Sequence, residues 1–164
     1  MVFQSKNFYV SLVENKDIKE GLAVYNSNYK FLINHMEKNK VTNEWLRQEF
    51  KSMKNHGFYC YKVVNRETER IVGIVDLKME EEAYLSLLMI HSDFRGKGLG
   101  NMIFQGFEEY IKSLKCKSIR IDVVTNYDNS VLNFWINNGF TKIKDVELNW
   151  TGKVLPAVVM KKFL

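Results

Sequence analysis

The chain has 164 residues, 46% hydrophobic, 13% aromatic and 26% charged, a length that fits one domain burying roughly 70% of the surface its unfolded chain exposes. Nine Gly and one Pro exclude collagen-like and low-complexity chains, and no apolar run approaches the ~20 residues of a membrane span. Twenty-four Lys/Arg against 19 Asp/Glu give +5, but the cations form no long block, which argues against a nucleic-acid partner. The start MVFQSKNFYV lacks the basic and apolar regions of a secretion signal. Two cysteines, Cys60 and Cys116, are too few for a disulfide framework and lack metal-ligand spacing. The expectation is a soluble, cytoplasmic, single α/β or α+β domain with no membrane partner and no metal.

Phe8, Val10 and Leu12 alternate as a first strand. Asn15 or Asp17 is placed to cap a helix through Ile18, Leu22 and Tyr25. Residues 26–40 mix Tyr29, Phe31, Leu32, Ile33 and Met36 with polar residues in no clean period. Thr42 reads as the N-cap of a helix through Trp45, Leu46, Phe50 and Met53 that stops near Gly57. Three runs rich in β-branched and aromatic residues follow, 58–64, 71–79 and 83–90, with turns at 65–68 and 80–82, and form an antiparallel meander. Residues 98–114 read as a helix with Leu99, Ile103, Phe107, Tyr110, Ile111 and Leu114 on one stripe. A strand at 119–124, a short helix at 130–138 ended by Gly139, and a hairpin of 140–150 and 154–163 around Thr151-Gly152 complete the chain. The order β-α-α-β-β-β-α-β-α-β-β predicts a mixed, mostly antiparallel seven-stranded sheet with helices on both faces.

The densest chemical signal lies where the meander runs into the helix, Ile90-His91-Ser92-Asp93-Phe94-Arg95-Gly96-Lys97-Gly98-Leu99-Gly100-Asn101. Glycines at alternate positions let backbone N–H groups converge without Cβ obstruction. The helix start adds free amides and a partial positive charge, so the turn suits an anion. Arg95 and Lys97 add fixed cations, and Arg grips phosphate oxygens as a planar fork. It is not a Walker A loop, because Lys97 is followed by Gly98 rather than Ser or Thr. Nor is it a dinucleotide fingerprint, which would need glycine at Asn101 or Ile103. A plain tight turn with incidental basic residues is the competing reading.

Arg95-Gly96-Lys97-Gly98-Leu99-Gly100 resembles the Q/R-x-x-G-x-G/A motif of the GNAT superfamily of acetyl-CoA-dependent N-acetyltransferases. Some thirty residues on, the stretch from Asp122 to Ser130 and then Phe134-Trp135-Ile136-Asn137-Asn138-Gly139-Phe140 is similar to that family's second signature, N-x-x-A-x-x-(F/L)-Y-x-x-x-G-F. The resemblance implies a GNAT-like fold, acetyl-CoA as cofactor, and acetyl transfer to a primary amine, on a small molecule or a protein or peptide. It assigns Arg95, Gly96, Lys97, Gly98, Gly100 and Asn101 to the coenzyme A diphosphate. It assigns the backbone of Leu88 and Ile90 to the pantetheine arm, with the Ile90 N–H polarising the thioester carbonyl.

Two departures stand in the second signature. Asp128 replaces the usual Asn, either as a cofactor contact or as the N-cap of the helix. Trp135 replaces the usual Tyr, whose hydroxyl protonates the departing thiolate in the family, and indole N–H has no usable acidity. Trp135 is then a pantetheine wall or core, and nearby Tyr127 is the substitute proton donor, unless it is only a loop tyrosine. Glu81, Glu82 and Asp122 are the candidates to take the amine proton, Glu82 foremost. His91 sits at the strand exit, whereas His35 and His56 carry no signal. Tyr25, Tyr29 and Phe31 could cage a cationic amine or simply pack the first helix. Neither cysteine has a paired base, so the expected route is direct transfer in a ternary complex. Family members often pair as homodimers, which no residue here demands. A non-catalytic acyl-CoA sensor is the alternative function.

Overall fold

The computed structural model describes residues 1–150 and 152–164, the side chain of Trp150 aside. Eight strands form one sheet in the order β1-β2-β3-β4-β5-β6-β8-β7: β1 (Phe3–Gln4), β2 (Phe8–Leu12), β3 (Tyr59–Asn65), β4 (Ile71–Lys78), β5 (Glu82–Ile90), β6 (Ser118–Val124), β7 (Thr141–Trp150) and β8 (Lys153–Phe163). All neighbours are antiparallel except β5 and β6, which run parallel. A parallel pair needs a crossover, and α4 (Leu99–Ser113) supplies it. The remaining helices are α1 (Ile18–Ser27), α2 (Tyr29–Met36), α3 (Asn43–Asn55) and α5 (Asn129–Asn137). Among the described residues no helix is long and apolar enough to cross a membrane.

The predicted mixed sheet stands, with two differences. The two-residue β1 adds an eighth strand at the edge, held by Phe3 packing edge-on against Phe107 at 4.9 Å. The aperiodic 26–40 region contains α2, a third helix before β3. Its separation from α1 is a matter of one residue. Asn28 leaves the helical region (φ −102°, ψ 54°) and its Nδ2 donates to Val24 O and Ile90 O. Such contacts are not encoded in periodicity. Asp17 is also not the side-chain cap of α1; its carboxylate accepts the Glu14 N–H at 2.7 Å and pairs with buried Lys62 at 2.6 Å. Thr42 does cap α3, accepting from Trp45 N. The tip of the last hairpin at Thr151 lies outside the described residues.

Two cores flank the sheet. On one face α4 and α5 pack Ile103, Phe104, Phe107, Ile111 and Trp135 onto Val63, Val75, Leu77, Ile119 and Ile121. Leu114, expected on the same stripe, is 47% exposed, because the helix ends at Ser113. On the other face α1, α2 and α3 bury Val24, Leu32, Met36 and Leu46 against Ile74, Leu87 and Met89. Each fully buried large side chain contributes roughly 1.5–3 kcal/mol of transfer free energy.

The feature that makes a site is a bulge in β5. The register passes from Asp76↔Leu87 to Leu77↔Leu85, leaving Ser86 as the extra residue. A bulge bends its strand and reverses the side-chain phase beyond it. Ala83 and Leu85 accordingly enter the α4 core, whereas Leu87 and Met89 enter the opposite one. The bend also ends pairing with β6, which touches β5 only at Glu82↔Ser118, Ala83↔Ile119 and Tyr84↔Arg120.

Candidate active site

Beyond Tyr84 and Arg120 the two parallel strands part, and a cleft of about 420 Å³ opens between them, within the usual size range of small-ligand pockets. Its wall includes the whole splayed half of β5, Ile121 to Val124 of β6, and residues of α2 and α5. The His91 N–H bonds Val72 O at 2.9 Å. Donors alternate sides along an antiparallel ladder, so the N–H groups of Leu88 and Ile90 face the gap rather than β4. Among the described residues no residue of β6 pairs with them. This unpaired edge is a template for an extended ligand.

At the mouth of the cleft β5 runs through Ser92–Phe94 into the glycine turn and α4. Gly96 and Gly98 both hold φ +76°, a conformation in which a side chain is strained. Among the described residues a Cβ at either would meet no atom within 4 Å, so open space lies in front of them. Gly98 is the N-cap of α4, so the first-turn amides point outward without a side-chain cap. Arg95 lines the cleft, and Lys97 Nζ stands 5.8 Å from the Phe94 ring centre. Glycine at 100 is less demanding, since its Cβ would make ordinary contact with Phe134 at 3.4 Å. Asn101 accepts from Asn138 Nδ2 at 2.9 Å, tying the start of α4 to the end of α5. The turn thus offers amides, two cations and space free of side chains, a donor set suited to a diphosphate.

Deeper in, the polar side of β5 and β6 forms a small network. The Tyr84 hydroxyl donates to Asp122 Oδ2 at 3.0 Å, and Arg120 grips the same carboxylate through Nε and Nη2, both at 3.0 Å. The Arg120 guanidinium also lies over the Tyr84 ring at 5.2 Å. Burial, then the Asp122 charge, pushes the Tyr84 phenol up to about 12. Glu82 is elsewhere, at the closed end of the parting. Burial opposes its charge, but Lys161 at 2.6 Å and the Ser118 hydroxyl at 2.9 Å outweigh it and hold the carboxyl below its ordinary range. Glu82 does not line the cleft, and Asp122 does. Glu81 stands at the turn in an ion pair with Lys117.

Tyr127 and Asp128 lie in the loop before α5, on the cleft wall. Burial, then Asp128, pushes the Tyr127 phenol up to about 12. Asp128 is an N-cap, accepting from Ser130 N at 2.9 Å and Ser130 Oγ at 2.6 Å, which hold its pKa down. Trp135 is both core and wall: it lines the cleft while its ring meets Phe104, Phe134 and Phe140 at 4.8–5.4 Å.

The sequence missed His35. It is buried on the cleft wall, stacked on Phe31 at 3.9 Å and edge-on to Tyr127 at 5.4 Å. Burial lowers its pKa, so the ring is neutral at pH 7. Nδ1 lies 2.9 Å from Phe31 O, and a carbonyl only accepts, so Nδ1 carries the proton. Of the three aromatics considered as a cage, Phe31 lines the cleft, Tyr25 is core against Trp45, and Tyr29 is 54% exposed. Arg120 and Tyr84 were also missed. The polar alternation Ser118-Arg120-Asp122 on β6 was the available signal for Arg120.

Comparison with known proteins agrees with this architecture. No curated protein sequence matches the chain. Among solved structures, an acetyltransferase from Thermus thermophilus superposes with a TM-score of 0.80 at 20% identity, covering 96% of this chain and 97% of that one. A spermidine N-acetyltransferase from Vibrio cholerae, in complex with CoA and spermine, gives 0.74 at 14% identity, with 97% and 96% covered. A ribosomal-protein-alanine N-acetyltransferase from Brucella melitensis gives 0.69 at 19% identity, with 95% and 99% covered. These likenesses establish the fold. The sequence model of the Acetyltransferase (GNAT) family matches residues 24–140, and since that span holds the splayed strands, the glycine turn and the second signature together, the chain belongs to the GNAT acetyltransferase family.

Proposed function

We propose that the protein is an acetyl-CoA-dependent N-acetyltransferase that acylates a primary amine, on a small molecule or a peptide, by direct transfer in a ternary complex. The observation that carries this reading is the unpaired edge of β5 leading straight into the glycine turn. Acetyl-CoA, when bound, supplies the activated acyl group. The turn amides from Gly96 to Gly100, with Arg95, Lys97 and Asn101, hold the diphosphate end. Leu88 and Ile90 hold the pantetheine arm through main-chain hydrogen bonds, and Trp135 walls it. The Ile90 N–H, directed into the gap, faces the developing oxyanion; one such donor is worth about 3 kcal/mol. Because this role is main-chain, the apolar side chains of β5 are free to serve the cores.

An amine must lose a proton before it attacks. Asp122 lines the cleft where Glu82 does not, so it takes that role in place of Glu82, with Tyr84 and Arg120 orienting its carboxylate. Tyr127 stays a neutral phenol at pH 7 and serves as hydrogen-bond donor to the leaving thiolate, the task that Trp135 cannot perform. No acyl-cysteine step is involved. Neither thiol lines the cleft, and burial pushes both up.

The test is thiol release from acetyl-CoA across a panel of amines. At least one amine should support turnover, and Asp122→Asn should lower it by about 10²–10⁴-fold while CoA still raises the melting temperature. A CoA-induced rise with no turnover on any amine would replace the enzyme by an acyl-CoA sensor. No rise at millimolar CoA would remove both.

A further inference from the structure

A second cavity, of about 770 Å³, lies well away from the glycine turn, between α3, the connection from β2 to α1, and the start of β3. Among the described residues none lines both it and the acetyl-transfer cleft. The ring of Phe58, which lines the second cavity, meets Tyr84 of the cleft at 5.6 Å.

Its lining has two distinct parts. Ile18, Phe50 and Phe58 give an apolar floor. Arg47, Lys51 and Lys54 give a cationic rim; spaced i, i+4, i+7, they form one stripe of α3. A basic stripe on a helix is ordinarily a solvated face. This one differs in position: Phe50, on the adjoining turn, is drawn inward against the α1 core, so the three cations border the opening of a cavity. Among the described residues none of them is in an ion pair. Among the described residues the one carboxylate on the lining, Glu14, pairs with Lys16 at 3.1 Å. Three uncompensated cations beside hydrocarbon disfavour a cationic guest, such as a protonated amine, and leave a purely hydrophilic anion without use for the floor.

We propose that this cavity is a binding site for an amphipathic organic anion, its acid group held by Arg47, Lys51 and Lys54 and its hydrocarbon body lying on Phe50 and Phe58. The site is separate from the acetyl-transfer cleft and does not depend on the acetyltransferase reading. Calorimetric titration of the full chain with decanoate, kept below its micelle concentration, tests it. Decanoate should bind saturably at one site, and decanol and acetate, each carrying one half of the chemistry, at least about tenfold more weakly. R47Q/K51Q/K54Q, all on an exposed helical face, should keep the melting temperature and lose about tenfold in decanoate affinity, the sum of three exposed charge contacts. Lys51→Glu alone reads the same term should the triple variant melt early. CoA should not displace decanoate. Absence of saturation, equal binding by the charge variants, equal binding of decanol, or displacement by CoA would each overturn the proposal.

Discussion

Replacing Gly98 and Gly100 separately by alanine divides what the turn does for the fold from what it does for a ligand. At Gly98 the cost to the free protein is conformational: φ is +76° and the new methyl meets no protein atom, so the loss is roughly 1–2 kcal/mol. For a chain of this size that is about 2–8 °C in melting temperature. At Gly100 the methyl meets Phe134 at ordinary contact distance inside a helix, so alanine should stabilise by roughly 0.5–1 kcal/mol. A ligand at 100 times its Kd stabilises by about 2.7 kcal/mol, which corresponds to about 5–11 °C here. In the proposed complex the Gly98 methyl would project into the diphosphate's space, and a hundredfold weaker Kd would leave only about 0.4 kcal/mol of that gain. Thermal melts of both variants with and without CoA give the four numbers. Gly98→Ala should lose most of the CoA-induced rise, and Gly100→Ala should keep it while melting higher on its own. A full CoA response in Gly98→Ala would refute the cradle, and early melting of Gly100→Ala would refute the packing argument.

Two further outcomes follow from the buried groups. Asp76 is buried, its Oδ1 without a partner among the described residues, and burial pushes its carboxyl up to about 7 from 3.8. The folded state therefore binds the extra proton, and this group's stabilising contribution is present below pH 3.8 and disappears as pH rises through 7. Asp76→Asn should melt progressively higher than the unmodified protein between about pH 5 and pH 8, and parallel melting curves across that range would contradict the assignment. Trp135 is 7% exposed among three phenylalanine rings, so Trp135→Ala should cost about 3–5 kcal/mol in urea unfolding; a loss below about 1 kcal/mol would mean that the ring is wall and not core.

Local pattern determined much of this protein. Alternation located β2, runs of β-branched and aromatic residues between turn signals located the meander, the 3.6-residue stripe located α4, Thr42 fixed the start of α3, and glycines marked the turn from β5 into α4, because each of these depends on residues a few positions apart. The tertiary structure decided what depends on residues far apart. The break at Asn28 is set by a bond to Ile90 sixty-two residues away, so residues 26–40 carry no readable period. His35 acquires its surroundings from Tyr127, and Asp122 its orientation from Tyr84. Sequence placed Glu82 ahead of Asp122 among the carboxylates of these adjacent strands. The bulge at Ser86 separates them, leaving Glu82 where the strands are paired and Asp122 where they part. A bulge is a mismatch between two strands, a property of their pairing that neither strand carries alone.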